Sequence, residues 1–398
     1  MEASLPKPKG PKPPIPLNVL TGFLGSGKTT LLNRLLKAPG MAETAVIINE
    51  FGEVGIDHLL VERADEGILE LSSGCLCCTI RGDLINTLED LLRRLDNGRI
   101  SPFRRVVIET TGLADPAPVL HAVMSHPYLV LRYRLDGVIA TVDAVNGMST
   151  LDAHPEAVKQ AAVADRLVLT KSDLCDTPER QARLSALRVR LHDLNPAAPI
   201  LDAAKGEATP EALLDAGLFD PAKKIPDVAA WLKAEAYADA HRHDHDHHGR
   251  DERHRHGGTR PHRHAHDVNR HDDHIRAFAV ATDAPIAAPA LDMFLDLLRS
   301  VHGPQLLRLK GVVRLAEEPD RPLVIHGVQH VFHPPVLLDA WPDEDRRTRL
   351  VLITRDMEPA AVQRLLDAFT GAPRIDTPDR AAIADNPLAP SGRGGLLG

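Results

Sequence analysis

The chain has 398 residues, 43% apolar and 26% charged, enough for two or three domains with buried cores. A formal charge of −8 and an aromatic content of 3% argue against a general nucleic-acid binder, which needs surplus Lys and Arg for phosphates and rings for bases. No stretch approaches the roughly 18 uninterrupted apolar residues of a membrane span.

Residues 1–14 are rich in Pro and Lys, lack the apolar core of a secretory signal and read as a disordered tail. From residue 15 to about 225, short apolar runs alternate with helix-length amphipathic segments. Strands are predicted over residues 15–20, 44–49, 68–71, 105–109, 137–142, 166–170 and 199–201, with helices over 28–37, 84–95 and 177–194. Runs such as Val106-Val107-Ile108 and Leu167-Val168-Leu169 are continuously apolar, as strands covered on both faces of a parallel sheet must be. The alternation predicts a doubly wound α/β domain.

The first strand leads into Gly22-Phe23-Leu24-Gly25-Ser26-Gly27-Lys28-Thr29, which fits G-x-x-x-x-G-K-[ST] and opens a helix. This is a phosphate-binding loop. Gly22, Gly25, Ser26 and Gly27 let backbone N–H groups curl around phosphates, and the helix N-terminus adds partial positive charge. Lys28 is expected to reach the β- and γ-phosphates and Thr29 to offer its hydroxyl to Mg²⁺, with Thr30 completing the loop. Val106-Val107-Ile108-Glu109-Thr110-Thr111-Gly112 is an apolar strand ending in an acid. Glu109 stands where a P-loop protein places the acid that orients Mg²⁺, and the Gly112 amide where the γ-phosphate is sensed. The catalytic candidates are therefore Lys28, Thr29 and Glu109. Further on, Thr170-Lys171-Ser172-Asp173 follows another apolar strand. Asp173 can accept from guanine N1–H and N2–H₂, donors that adenine lacks, so GTP is favoured over ATP. Lys171 can lay its stem across the base. Thr170 replaces the usual Asn, which weakens the expected tie to the P-loop. Asp202-Ala203-Ala204-Lys205 is a candidate for closing the base pocket with backbone amides.

Three of the four cysteines, Cys75, Cys77 and Cys78, fall within four residues after Gly74. Such clustering is no disulfide framework and points to a reducing, cytoplasmic setting. Three thiolates suit Zn²⁺, Co²⁺ or Ni²⁺ and suit Mg²⁺ poorly, and three ligands leave a fourth position exchangeable. Adjacent thiols also suit disulfide exchange, so thiol redox control is a rival reading. Residues 49–57, from Asn49 through Glu50 and Glu53 to Asp57, occupy the place of a first switch loop; Glu50 is its candidate metal ligand. Cys175 stands alone and reads as a small buried apolar residue.

Residues 226–274 read as a linker whose 241–274 segment carries twelve of the 21 histidines, with seven Arg balancing seven Asp and Glu. It lacks the apolar surface to fold alone and can hold borderline metals weakly as neutral imidazoles. A smaller domain is predicted over residues 275–376, with strands at 275–281, 305–315, 323–332 and 350–354 and helices at 287–300 and 358–369, an α+β arrangement of ferredoxin-like character. Residues 377–398 read as a disordered tail.

On the P-loop, the Cys75-Leu76-Cys77-Cys78 motif, Glu109-Thr110-Thr111-Gly112 and Thr170-Lys171-Ser172-Asp173, in that order and spacing, the chain resembles the CobW-type GTPases, a family of P-loop metallochaperones. The resemblance covers the N-terminal domain; a C-terminal α+β domain after a histidine-rich linker also fits. It implies slow GTP hydrolysis coupled to delivery of Zn²⁺ or Co²⁺ to a client metalloprotein or metal-dependent enzyme. With the composition, the expected setting is cytoplasmic, with GTP and Mg²⁺ bound, without nucleic acid or membrane, and a homodimer is a candidate assembly. A P-loop kinase, a thiol-regulated nucleotide switch and a passive histidine-rich metal buffer are the rival readings.

Overall fold

The computed structural model describes residues 13–48, 68–70, 80–214 and 274–371. The tail up to residue 12, residues 49–57, the cysteine motif at 75–78, the histidine tract up to residue 273 and the tail from 377 lie outside the described residues.

Seven strands form one parallel sheet: β1 (Ile15–Gly22), β2 (Thr44–Ile48), β3 (Ile68–Glu70), β4 (Arg105–Glu109), β5 (Tyr133–Asp143), β6 (Arg166–Thr170) and β7 (Ile200–Asp202). Their order is β3-β2-β4-β1-β5-β6-β7, and every pairing is parallel. From β1 the chain crosses to β2 on one side, whereas from β4 it crosses to β5 on the other. The carboxyl ends of β4, β1 and β5 therefore border the crevice where an open α/β sheet binds ligands. This is the P-loop NTPase fold.

On one face, Leu31, Leu32 and Leu35 of α1 (Lys28–Leu36) pack on Val46, Ile48, Val107, Ile139 and Val168. The opposite face is covered by α2 (Ile80–Asp96), α3 (Ala117–Ser125), α4 (Leu129–Arg132), α5 (Gly147–Ala153), α6 (Pro155–Val163) and α7 (Pro178–Leu194), which share one cluster. Helix α7 starts where its caps direct. Thr177 accepts the Arg180 N–H and Pro178 takes the first helical position, where a missing N–H costs nothing. A short helix, α8 (Pro210–Leu213), closes the α1 side.

The second sheet has the order β11-β10-β9-β13-β8, from β8 (Ile275–Thr282), β9 (Leu306–Val313), β10 (Leu323–Val328), β11 (Val331–Phe332) and β13 (Thr348–Arg355), with β12 (Val336–Leu337) on β10. Helix α9 (Ala288–His302) links β8 to β9, and antiparallel β13 lies between them, giving the split β-α-β core of a ferredoxin-like domain. Helix α10 (Pro359–Thr370) follows β13 and packs Val362 and Leu366 against Phe294 and Leu298 of α9. The sequence predicts a single strand over residues 323–332, but the chain reverses there. Gln329 adopts a left-handed φ of 51°, and Val328 pairs with Val331 across the turn.

The two sheets share a core. Phe278, Leu309 and Leu352 face the domain's own helices, whereas Ala277, Leu307 and Ile353 join the large cluster of the first domain. The second sheet is thus buried on both faces. At the junction, Asp165, just ahead of β6, meets Arg308 and Lys310 of β9, all three at most 5% exposed. Arg308 also donates to the Val163 carbonyl, and Asp165 accepts the Val138 N–H at 2.9 Å. Burial pushes the Asp165 carboxyl up, but the Arg308 and Lys310 charges outweigh it and hold it below the usual value of 3.8.

Removing one partner of a buried ion pair strands the other, at about 3–5 kcal/mol. Asp165→Ala is therefore expected to lower unfolding free energy by that order, read by urea denaturation. Since the native carboxyl titrates below the unfolded one, the wild-type advantage is full above about pH 4 and shrinks as pH falls through the native value. An unchanged midpoint at neutral pH would refute this account of the junction.

Candidate functional site

Strand β1 delivers the P-loop at a point where no side chain fits. A Cβ on Gly22 would stand 2.2 Å from Thr141 Oγ1 and 2.6 Å from the Thr141 carbonyl. Gly27, at φ 88°, turns the chain into α1 without a side-chain cap, leaving the first amides of the helix to whatever the loop holds. The Lys28 ammonium lies back over its own loop, 3.0 Å from the Gly22 carbonyl and 3.3 Å from that of Phe23. The Thr29 hydroxyl donates to Glu109 Oε1 at 2.8 Å across a sequence separation of 80 residues. A hydroxyl and a carboxylate side by side at a P-loop helix form a hard-oxygen donor pair that fits Mg²⁺.

The base-reading motif is tied to the same loop. Thr170 is where the sequence predicts a weakened tie, yet its hydroxyl donates to the Ser26 carbonyl at 2.7 Å. Lys171, left-handed at φ 58°, reaches the Gly25 carbonyl at 2.7 Å and Asp143 Oδ2 at 2.8 Å. Asp173 lies exposed in the short 3₁₀ turn Ser172–Leu174. Ser172 is bonded to Asp202, whose other oxygen takes Arg188 at 2.8 Å and whose Oδ1 accepts the Ala204 N–H at 3.2 Å. The 202–205 loop is thus fastened to the base motif from below.

Asp143 is a site residue that sequence reasoning missed. Its Oδ1 accepts the Val145 and Asn146 N–H groups at 2.8 and 3.2 Å, while Oδ2 holds Asn146 Nδ2 and Lys171. Burial pushes this carboxyl up, but the Lys171, Asn146 and backbone hydrogen bonds outweigh it and keep it below the ordinary carboxylate value. It is a fixed anion that orients Lys171. Gln160 of α6 was also missed; it is 1% exposed and donates to the Gly112 and Ala114 carbonyls at 3.1 and 3.0 Å. A cavity of about 200 Å³ lies between the P-loop and helices α5 and α6, bordered by Phe23, Ser26, Asp143, Asn146, Gln160 and Lys171. Phe23 closes one side by stacking on His154, with ring centroids 4.4 Å apart.

Cys175 is buried, and burial pushes its thiol up, as befits a packing residue. Glu50, Cys75, Cys77 and Cys78 lie outside the described residues. Among the described residues, no group of three or more His, Cys, Asp or Glu side chains is placed to hold a metal. No helix among them is long and apolar enough to cross a membrane.

Residues 16–202 match the CobW/HypB/UreG nucleotide-binding domain, and residues 275–370 the cobalamin synthesis protein CobW C-terminal domain. The chain is 34% identical over 343 residues to the zinc chaperone YjiA of Escherichia coli, covering 85% of this chain and 94% of the relative. It is 29% identical over 385 residues to the zinc chaperone CobW of Pseudomonas aeruginosa, covering 88% and 90%. The crystal structure of Zn(II)-bound YjiA GTPase from E. coli superposes with a TM-score of 0.61 at 28% identity, covering 90% of this chain and 99% of that one. A triple variant of that GTPase, with one glutamate and two cysteines changed to alanine, is also Zn(II)-bound.

Thr170→Ala removes the hydroxyl that joins the base motif to the P-loop and leaves the Ser26 carbonyl without it. At about 1–3 kcal/mol for a lost buried hydrogen bond, guanine-nucleotide affinity is expected to fall about tenfold. Thr170→Ser, which keeps the hydroxyl, should stay near wild type. Titration with a fluorescent GDP tests both; equal affinity in all three proteins would remove Thr170 from the site.

Proposed function

The chain belongs to the CobW/HypB/UreG family, and from that membership we propose a GTP-dependent metallochaperone with a divalent transition metal, Zn²⁺ or Co²⁺, as its cargo. It is a GTPase. Lys28 exchanges the loop carbonyls for β- and γ-phosphate oxygens, Asp173 reads the guanine edge, and Lys171, held by Asp143, covers the ring. Thr29 and Glu109 would hold Mg²⁺, which when bound would neutralise charge on the phosphates. The Gly112 amide donates to the γ-phosphate. Cleavage of the β–γ P–O bond by water yields GDP and phosphate and leaves that amide without its acceptor.

The cysteine motif is the proposed cargo site, and one observation carries the link to the nucleotide. Strand β3 ends with Glu70 in register with Ile48, which is itself in register with Glu109. At about 4.8 Å per strand, the end of β3 lies about 10 Å from Glu109, and the cysteine motif begins five residues later. Helix α2 begins at Ile80, so nine residues separate the two elements. Changes at the sheet edge are proposed to reach the cysteines through this short connection. Bound GTP favours the closed thiolate site, and hydrolysis releases the ion to a docked client metalloprotein in the cytoplasm.

A second reading, with metal held outside the cysteines, is favoured by the Zn(II)-bound YjiA variant that lacks two cysteines. In this chain the 241–274 histidine tract would be the holder.

Zn²⁺ and Co²⁺ affinity measured with GDP and with the non-hydrolysable analogue GppNHp separates the readings. The expected result is tighter binding with GppNHp, lost in Cys77→Ala while nucleotide affinity is kept. Deletion of residues 241–274 should lower stoichiometry and leave the tight site. Tight binding that survives Cys77→Ala and disappears with the tract would overturn the cysteine assignment.

A further inference from the structure

The loop after Glu109 is gripped from both domains. From α6, Gln160 holds the Gly112 and Ala114 carbonyls at 3.1 and 3.0 Å. Gly112 lies so close to the P-loop that a Cβ there would stand 2.6 Å from the Leu24 nitrogen. Three residues on, Asp115 divides its two oxygens between neighbours. Oδ1 accepts the Ala117 N–H at 3.0 Å and so starts α3. Oδ2 accepts Gln329 Nε2 at 2.9 Å, with Lys159 Nζ at 3.6 Å.

Gln329 belongs to the C-terminal domain, at the turn between β10 and β11. It holds the left-handed φ of 51°, which is unfavourable for a residue with a Cβ, and its N–H is fixed on the Leu307 carbonyl at 3.1 Å. The next ring, His330, lies 4.7 Å from that of His121 on α3. Val328, on the other side of the turn, is 5% exposed within the cluster common to both domains. The hairpin tip is therefore rigid on its own domain and seated on the loop and helix that follow the Mg²⁺ acid.

We propose that this hairpin tip, through the Gln329–Asp115 hydrogen bond, positions Gly112 for the γ-phosphate and so makes the C-terminal domain a reader of nucleotide state. The inference rests on the assignment of Gly112 as the γ-phosphate-sensing amide. Gly112 cannot shift without moving carbonyls bonded to Gln160 and, three residues on, the carboxylate that starts α3. That carboxylate is bonded to Gln329, whose backbone is fixed by the left-handed turn and the Leu307 bond, so a shift beyond the reach of the Gln329 side chain breaks the bond or displaces the hairpin. A shift of the loop is therefore passed to β10 and its sheet. By reciprocity of coupled equilibria, whatever the seated hairpin contributes to GTP binding, GTP contributes to seating the hairpin.

GDP has no γ-phosphate for Gly112 to meet, so the coupling predicts a selective effect. In the full-length protein with Mg²⁺, Gln329→Ala should weaken GppNHp binding about fivefold or more, with GDP binding changed less than twofold. Gln329→Glu, which sets a carboxylate against Asp115, should do so at least as strongly. A thermal melt of each variant reports whether the fold is kept. Equal effects on both nucleotides, or none, with a lowered melting temperature, would make the hairpin a plain docking contact and overturn the proposal. Hydrogen exchange of the Gly112 amide in the wild-type protein separates this from failure of the underlying assignment. Protection that is greater with GppNHp than with GDP, without selectivity in the Gln329 variants, defeats the coupling alone. Absence of both defeats the γ-phosphate assignment with it.

Discussion

The register of β1 sets the whole carboxyl edge of the sheet: Leu20 pairs with Glu109 on one side and Gly22 with Thr141 on the other. Those pairings bring a carboxylate beneath the first turn of α1 and a threonine against Gly22, where a Cβ would not fit. Had the strand slipped by one residue, inward and outward faces would exchange and Thr29 would lose its acceptor. The same edge collects Thr170 and Asp143, because β5 and β6 run parallel to β1 and Asp143 pairs with Thr170. Chemistry that is scattered over roughly 150 residues of sequence becomes contiguous because parallel strands all deliver their loops to one end.

The site is held together by polar contacts that cross between elements more than by bonds within any one loop. Thr170 to Ser26, Lys171 to Gly25 and Asp143, Gln160 to the 112–114 turn, and Ser172 to Asp202 form a mesh in which each motif stiffens another. Preorganised donors and acceptors in a partly dry crevice are the means by which phosphoryl-transfer proteins do their work, since the protein has little covalent chemistry to perform. The second domain enters this mesh at Asp115, a few residues past Glu109.

Much of this was legible in the sequence because phosphate and base recognition demand given residue types at fixed spacing, so residues 22–29, 109–112 and 170–173 stood out. Asp143 did not, because an acid closing a strand before Ala-x-Asn looks the same as a capped turn until Lys171, 28 residues on, is placed beside it. Gln160 is one polar residue in the otherwise apolar stretch Gln160-Ala161-Ala162-Val163, and only the turn it grips gives it meaning. Asp165 draws its partner from 143 residues away in the other domain, beyond any local pattern. Helices α3, α5 and α6 escape prediction for related reasons. Helix α3, Ala-Pro-Val-Leu-His-Ala-Val-Met-Ser, is apolar nearly all round and shows little 3.6-residue contrast, and α5 and α6 are short pieces divided at His154-Pro155. The reversal at Gln329 has no glycine at its two turn positions, 329 and 330, where the left-handed backbone falls.

The shared core between the two sheets has a consequence for how the chain can be divided. A fragment ending near residue 214 would put Asp165 and the apolar surface beneath Ala277, Leu307 and Ile353 into water. A fragment beginning at residue 274 would expose Arg308, Lys310 and the same apolar face from the other side. The two family segments, though separable on paper at the histidine tract, share one core and one buried ion pair. Autonomy lies with the two segments together, joined through the core they share.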